Sequence, residues 1–523
     1  MAALSSWKVM TSASSLLRSL LVYGLCLPLA VFLGYLLATP MDLTTFTAVG
    51  MVLFVLMIPL LLRWHHLWLI ASWNVTAVIF FLPGHPQLWM GLTAVSLPIS
   101  ILQYALNRER RFLSVPSVTW SLIFLALVVV MTARLTGGIG LRAFGSEVYG
   151  GKRYFLILGA ILGYFAITGR RIPPQRATLC VSLFFLGYTT LAIGNLAGMI
   201  NPAFNFLFFI FPVENLAALD SSPVGRTSVI MRSGGLTMLG MGVFCALLAR
   251  YNLRQLFDLR NPLRLLVFLL FVFIGLLGGF RSLLAQFLLL MTALFWLEGL
   301  YRTRVFPVVI AFTVVGGALL MGFATHLPLS VQRTLAFLPV PIDPAVKLDA
   351  QYSTEWRLEM WEHVLPEVPH YLFLGKGYGF NPGDVDIARM SLRSQATPEG
   401  SELTGDYHNG PLSIIIPFGI LGVVCFVWFM VAGARVFYQN YKYGDPAFEK
   451  LNTFLFAFYL AKIIFFLTLF GSLYSDLATF VGLLGLSVSL NGGVAKPHVA
   501  APEPALVMSR FRLSPGVRKP LGV

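Results

Sequence analysis

The feature that most constrains this 523-residue chain is a series of long apolar runs separated by short polar connections. Each run has about 16–23 residues, close to the ~20 that a helix needs to cross the hydrocarbon core of a bilayer. Charged residues make up 11% of the sequence, against about 25% in a typical soluble domain. The sequence therefore predicts an all-α fold, a polytopic transmembrane helical bundle of about 12–14 spans. The candidate spans are 17–38, 44–62, 67–82, 87–106, 117–135, 154–168, 177–199, 229–249, 265–279, 283–300, 306–325, 411–433, 451–470 and 473–490.

The basic residues predict how these spans are oriented, because cytoplasmic connections are enriched in arginine and lysine. With the N-terminus in the cytoplasm, nearly every basic cluster falls on the cytoplasmic side. These clusters lie at 63, 107–111, 170–176, 250–264, 302–304 and 435–450. They also account for the net charge of +15, so we expect no nucleic acid among the partners. We expect the first run to be an uncleaved membrane anchor.

One polar stretch, residues 326–410, interrupts the apolar pattern and falls on the external side. It holds eleven of the 22 Asp and Glu residues. We predict that it is a large catalytic loop containing short helices, because a long loop between membrane spans usually has a function. It divides the chain into an N-terminal transmembrane bundle (1–325), the loop, C-terminal transmembrane helices (411–490) and a flexible basic cytoplasmic tail (491–523).

Few residues suggest metal, disulfide or nucleotide chemistry. All four cysteines lie inside apolar runs, where cysteine behaves as a small hydrophobic residue. The sequence has no glycine-rich loop with a lysine of the ATP-binding type, so ATP-driven transport is not expected. Asp384 and Asp386 have the spacing of a metal-binding carboxylate pair, but they follow Asn381-Pro382-Gly383 and are better explained by a turn and a helix cap.

Two arginines are expected at the external ends of spans. Arg232 lies at the external end of the run at 229–249, and Arg281 follows the glycine pair Gly278-Gly279 in a very short turn. An arginine held at the membrane surface is a candidate for binding an anion. The alternative in both cases is that the side chain extends to the lipid headgroups.

A helix is predicted within the loop, with Ser353 or Thr354 as its N-cap and an end near 365. Arg357 and Trp361 lie four residues apart and share one face, and a neighbouring apolar stripe suits a helix across the external mouth of the bundle. Alternatively, Arg357 stacks on Trp361 or pairs with a nearby glutamate.

The end of the loop carries two short motifs. Gly375, Gly377 and Gly379 let the backbone approach either another backbone segment or a substrate closely. His408 and Asn409 then lead into the next span. Asn409 is a good N-cap, whereas capping does not explain His408. At the positive end of a helix its neutral, proton-accepting form is favoured.

The order of these motifs resembles the bacterial O-antigen ligase and polysaccharide polymerase superfamily over residues 225–435. The shared pattern is an arginine after a glycine pair, then Arg-x-x-x-Trp, Gly-x-Gly-x-Gly and His-Asn, leading into a span with Gly419 and Gly422. The resemblance implies a GT-C-like fold in the bacterial inner membrane, with the active face towards the periplasm. About fourteen spans exceeds the roughly twelve expected for such ligases.

The resemblance also implies a metal-independent glycosyltransferase without a cofactor. It would take a glycan from undecaprenyl diphosphate and pass it to a hydroxyl of a lipid or glycan acceptor. Arg281 and Arg357 would then hold the diphosphate, with Arg232 as a third candidate. His408 would activate or orient the acceptor hydroxyl, and Asn409 and Trp361 would support the site.

Three alternatives remain open at this point. A ligase and a repeat-unit polymerase use the same donor and differ in the acceptor, so these motifs do not separate them. A flippase for lipid-linked glycan would need charged residues along a path through the bilayer, and the runs carry few. A scaffold protein would tolerate replacement of Arg281 or His408.

Overall fold

The computed structural model describes residues 43–106, 112–138, 151–212, 232–379 and 405–497, with a few positions between 28 and 35. Most of the predicted first span, most of the tail and the Asp384–Asp386 turn lie outside these residues. Within the described ranges the protein is almost entirely helical, and one isolated bridge joins Val78 and Gln87. The all-α prediction is therefore confirmed.

Sixteen α-helices occur in the described part of the chain. We number them in chain order as α1 (Leu43–Ser72), α2 (Leu88–Leu106), α3 (Pro116–Thr136), α4 (Gly151–Thr168), α5 (Ala177–Leu186), α6 (Leu191–Ile200), α7 (Gly234–Arg250), α8 (Leu253–Leu256), α9 (Pro262–Leu277), α10 (Arg281–Leu297), α11 (Val305–Phe323), α12 (Leu329–Leu335), α13 (Pro344–Val364), α14 (Leu412–Tyr443), α15 (Glu449–Thr468) and α16 (Leu473–Asn491).

Seven helical segments in the described part are long and apolar enough to cross a membrane, and four further apolar helices are shorter. The chain is therefore a multi-pass membrane protein. The seven segments include α2, α3, α14 and α16. The shorter helices include α7, α9 and α10, and these three lie close to the positions predicted from their apolar runs. The figure of 12–14 spans stays a prediction.

One predicted interruption between spans is wrong. The runs at 44–62 and 67–82 were expected to be separate spans with Arg63 in a connection, but α1 continues through this point. His65 and His66 are buried, and neighbouring helices satisfy their rings: His65 Nδ1 lies 2.8 Å from Ser96 Oγ, and His66 Nε2 lies 2.7 Å from the Ile167 carbonyl oxygen. Because their rings have these hydrogen-bond partners, both histidines can lie within a buried helix and do not have to be in a solvent-exposed loop.

The core is formed by helices from both ends of the chain. Helix α4 packs along α16, and α3 packs along α14, so the C-terminal helices lie against the N-terminal half. Aromatic side chains fill these contacts, and Phe185, Phe426 and Tyr459 are completely buried. This arrangement fixes the start of α14, and with it the end of the polar loop, against the rest of the bundle.

The loop between α11 and α14 contains helices α12 and α13, which agrees with the prediction of short helices there. The predicted start of α13 is wrong, because the helix begins at Pro344, where the Asp343 side chain accepts a hydrogen bond from the Ala345 N–H at 2.8 Å. Aspartate before proline is a strong N-terminal signal. Thr354 lies inside the helix and donates to the Ala350 carbonyl.

Candidate active site

Helix α13 lies against the beginning of α14. The predicted apolar stripe is confirmed, since Met360 and Val364 are buried with Tyr407 in a small cluster that Trp356 also contacts. The indole N–H of Trp361 donates a 2.9 Å hydrogen bond to the Tyr407 carbonyl. Trp361 therefore holds the backbone just before His408.

His408 occupies a constrained turn. Its φ is +46°, a left-handed conformation that non-glycine residues rarely adopt and that is often found at functional sites. Its ring centroid lies 5.4 Å from that of Trp356 and 5.2 Å from that of Phe470. Nδ1 is buried and has no hydrogen bond within the described residues, and Asp406 Oδ1 lies 3.7 Å from it.

The surroundings favour a neutral imidazole. Burial lowers the pKa of His408 most strongly, the Asp406 carboxylate raises it, and the Arg357 charge lowers it again. The net direction is downward, so His408 is neutral near pH 7 and able to accept a proton. This is the form that was expected from the sequence.

Next to this turn is a cavity of about 370 Å³. Three arginines that the sequence singled out, Arg232, Arg281 and Arg357, all line it. Residues from α10, α12, α13 and the end of α15 complete the wall: Phe280, Ser282, Ala285, Arg333, Phe337, Ser353, Thr354, Phe465, Leu469 and Phe470. No Asp or Glu of the described ranges is among the lining residues.

A close contact between two helix starts brings Arg232 and Arg281 together. The Ser233 N–H donates to the Gly278 carbonyl at 3.0 Å. A side chain at position 278 would collide with Thr237 and Ser233, so glycine is required there. Gly279 has a φ of +76°, which turns the chain into α10 and places Arg281 at its first position. Arginines at a helix N-terminus form a favourable site for an anion.

Arg333 was missed by the sequence reasoning. It is 3% exposed, and its Nε donates to Asp349 at 2.5 Å while Nη1 donates to the Gly279 carbonyl at 2.6 Å. Asp349 also accepts two 3.2 Å contacts from Arg232. The short helix α12 has no amphipathic repeat long enough to mark Arg333 as buried.

Positive charge is in excess around the cavity. Burial lowers the pKa of Arg357, and the charge of Arg333 lowers it further. Arg232 has a lowered pKa for the same two reasons, although Asp349 opposes the shift. Burial alone would raise the pKa of Asp349, but hydrogen bonds and charge from Arg333 and Arg232 leave it lowered. Of the four arginines, Arg232 and Arg333 contact Asp349, and Arg281 and Arg357 have no ion pair within the described residues.

The cavity and the His408 turn share one wall. Phe470 lines the cavity and contacts the His408 ring, and the Arg357 guanidinium lies 5.9 Å from the Phe470 ring centroid. His408 and Arg357 are thus well within the ~15 Å over which a single site could operate. Arg281 reaches the same helix as Arg357, since its Nη1 donates to Thr354 Oγ1 at 3.2 Å.

The glycine run lies away from the lining residues. Gly375 and Gly377 have φ values of +78° and +67°, and the Gly377 N–H donates to the Pro417 carbonyl at 3.0 Å, inside α14. A side chain at 377 would collide with Thr136, and one at Gly379 would lie 2.7 Å from the Thr136 carbonyl oxygen. Of the two expected uses, these contacts favour backbone approaching backbone. A substrate-binding role for the three glycines stays a prediction.

Asn409 has a clear local role. Its Oδ1 accepts a hydrogen bond from the Leu412 N–H at 3.1 Å, which is the expected cap at the start of α14. It is absent from the residues that line the cavity. Binding of substrate by Asn409 therefore stays a prediction, whereas the capping interaction is confirmed.

Comparison with known families decides the relationship. Residues 265–427 match the family model described as O-antigen ligase. Residues 265–427 therefore form a segment similar to the O-antigen ligase family. The predicted resemblance is thereby confirmed. Among curated proteins, no match was found.

The O-antigen ligase segment runs from α9 into α14. It contains Arg281, Arg333, Arg357 and His408, whereas Arg232 lies before it. Arg232 nevertheless joins the cavity through the contact between the starts of α7 and α10. The match over this segment supports an activity of the ligase or polymerase type.

Proposed function

We propose that the protein is a glycosyltransferase of the bacterial inner membrane that works on the periplasmic face. It transfers a glycan from undecaprenyl diphosphate to an acceptor hydroxyl, without a metal or a cofactor. The observation that carries this proposal is the arginine-lined cavity directly beside a half-buried histidine whose pKa is lowered. The first suits a diphosphate and the second suits a hydroxyl.

The arginines fit the leaving group. When the bond between the anomeric carbon and the diphosphate breaks, the electron pair stays on the diphosphate oxygen. Guanidinium groups bind phosphate through paired hydrogen bonds and keep their charge at any working pH. Cations that are already in place where charge develops commonly make a large contribution to catalysis. Arg281 and Arg357 are free for this task, as neither has an ion pair within the described residues.

His408 fits the acceptor side. As the acceptor oxygen bonds to the anomeric carbon, its proton passes to the neutral imidazole. Such a base contributes about 10²–10⁴-fold in rate. Trp361 acts on this step indirectly, by holding Tyr407 and the turn that follows.

A transporter is the alternative of another class. Between the apolar helices α15 and α16, Lys462 and Asp476 form an ion pair at 2.7 Å that is largely buried. Asp476 lies in the first turn of α16 and also accepts from the Ser472 N–H. The two charges neutralise each other, so the pair needs no transported ion or substrate to explain it. It therefore supports a flippase less than the arginine-lined cavity supports a glycosyltransferase.

The test is glycan transfer by the purified protein in detergent. The donor is an undecaprenyl diphosphate-linked oligosaccharide, supplied with or without lipid A core, in EDTA, to wild type and His408→Ala. Transfer that requires lipid A core and is lost in the variant identifies a ligase. Extension of the donor alone identifies a repeat-unit polymerase. Absence of transfer, with donor movement across liposomes, would refute the proposal in favour of a flippase.

A further inference from the structure

We infer that Arg333 is a fourth, rigidly held ligand of the diphosphate, at the centre of the arginine cluster. The inference rests on the proposed function of the cavity and adds a residue that the family pattern did not include. Arg333 lines the cavity although its side chain is only 4% exposed. The side chain is thus almost completely enclosed by protein and still forms part of the wall of the space in which the ligand would lie.

The position of Arg333 is fixed by both neighbours in sequence. Gln332 donates to the Thr325 and Leu327 carbonyls at 3.1 and 2.8 Å and accepts from the Asp343 N–H at 2.8 Å. Thr334 Oγ1 donates to the Leu276 carbonyl at 3.0 Å. These bonds tie α12 to the ends of α9 and α11 and to the start of α13.

The hydrogen bonds of Arg333 leave part of its donor set unused. A guanidinium has five N–H donors, and only the bonds from Nε to Asp349 and from Nη1 to Gly279 involve described residues. Nη2 has no partner there. A planar guanidinium anchored at one edge presents its other edge in a fixed direction, which suits paired bonds to phosphate.

Charge places Arg333 in the middle of the cluster. Of all neighbouring charges, that of Arg333 has the largest effect on the pKa of Arg232 and of Arg357. A structural ion pair with Asp349 would not explain this arrangement, because Asp349 is already shared with Arg232. A buried guanidinium that shares its carboxylate with a second arginine, with Arg281 and Arg357 nearby, leaves an excess of positive charge that an anion would neutralise.

The experiment measures binding of two probes, undecaprenyl diphosphate and undecaprenyl monophosphate, to the purified full-length protein. We expect wild type to prefer the diphosphate. Arg333→Gln should weaken diphosphate binding by about 10–100-fold, the range for a lost hydrogen bond to a charged group. Arg333→Lys should retain part of the affinity, because it keeps the charge and loses the paired geometry. Lys347→Gln, on an exposed position of α13, is the matched control and should bind as wild type does.

The outcomes distinguish the proposed function of the cavity from the role of Arg333 in binding the diphosphate. Equal binding of both lipids by wild type would refute the diphosphate site and the proposed function with it. A wild-type preference that Arg333→Gln retains would refute only the inference about Arg333. Thermal unfolding identifies variants that fail to fold. If Arg333→Gln fails to fold, the Lys variant decides, and wild-type affinity in Arg333→Lys would contradict the inference.

Discussion

The arginine cavity and the His408 turn both contact Phe470, yet they are built in opposite ways. The cavity is lined by four arginines, of which Arg232 and Arg333 share the Asp349 carboxylate. The turn places one half-buried imidazole between Trp356 and Phe470 and holds it in a left-handed backbone conformation. The first region has an excess of positive charge that suits an anion, whereas in the second burial favours an uncharged ring. The proposed reaction uses this difference, because one region would hold the leaving group and the other would accept a proton.

Arg357 is the residue at which the two regions meet, and its replacement should have the largest effect. Arg357→Gln removes a cation from the cavity and a charge that lowers the pKa of His408. We expect the rate of transfer to fall by about 10²–10³-fold, as for loss of one preorganised donor. Initial rates with saturating acceptor measure this. Lys347→Gln, on the same helix, is the control, and an equal loss in both variants would contradict a specific role.

Gly377→Ala should lower the stability of the fold, and the fraction of the variant that folds should transfer glycan at the wild-type rate. The position has a φ of +67°, and a Cβ there would collide with Thr136. Strain and overpacking together should cost about 2–4 kcal/mol. Thermal unfolding in detergent measures this loss of stability. Gly316→Ala, in α11 with open space around it, should be neutral or slightly stabilising, and destabilisation of both to the same degree would refute the packing role.

The cap of α14 should have a smaller effect. Asn409→Ala removes the acceptor for the Leu412 N–H and should cost about 1 kcal/mol. Asn409→Ser restores a capping oxygen, so it should recover most of the loss in thermal unfolding. Full stability of Asn409→Ser combined with complete loss of transfer would show that Asn409 contacts substrate, which would sharpen its role beyond capping.

The smallest expected change is a shift in pH dependence. His408 must be neutral to accept a proton, so activity should be lost as the pH falls through its lowered pKa. Asp406 raises that pKa, and Asp406→Asn should therefore move the acid limb of the rate profile to lower pH. The measurement is transfer rate against pH in both proteins. A limb that moves to higher pH would contradict this assignment of charges.

The comparison also shows what a sequence can reveal about such a site. Arg232 and Arg281 were recognisable because an arginine at the external end of an apolar run needs an anionic partner. Arg357 and the apolar stripe of α13 were recognisable from helical spacing. Arg333 was not, since its role depends on hydrogen bonds to helix ends that are distant in sequence. The continuation of α1 through His65 was hidden for the same reason, because its partner Ser96 lies in another helix.

The glycine run illustrates a second limit. Positive φ at Gly375 and Gly377 could be expected because glycine adopts it readily. Which segment of the protein packs against these glycines could not be expected from the sequence. Helix α14 is interrupted at Gly419, whose φ is +62°, and the loop N–H groups of Lys376 and Gly377 donate to the Ile416 and Pro417 carbonyls just before it. The partner of such a segment is set by tertiary packing, so it is not visible in the local sequence.

The most direct test of the account measures donor binding and turnover separately in two variants, using purified protein and an undecaprenyl diphosphate-linked oligosaccharide. We predict that His408→Ala binds the donor as wild type does and loses turnover, whereas Arg281→Gln loses donor affinity. If His408→Ala loses donor affinity as severely as Arg281→Gln, or if both variants turn over normally, the division of tasks between the two regions is wrong.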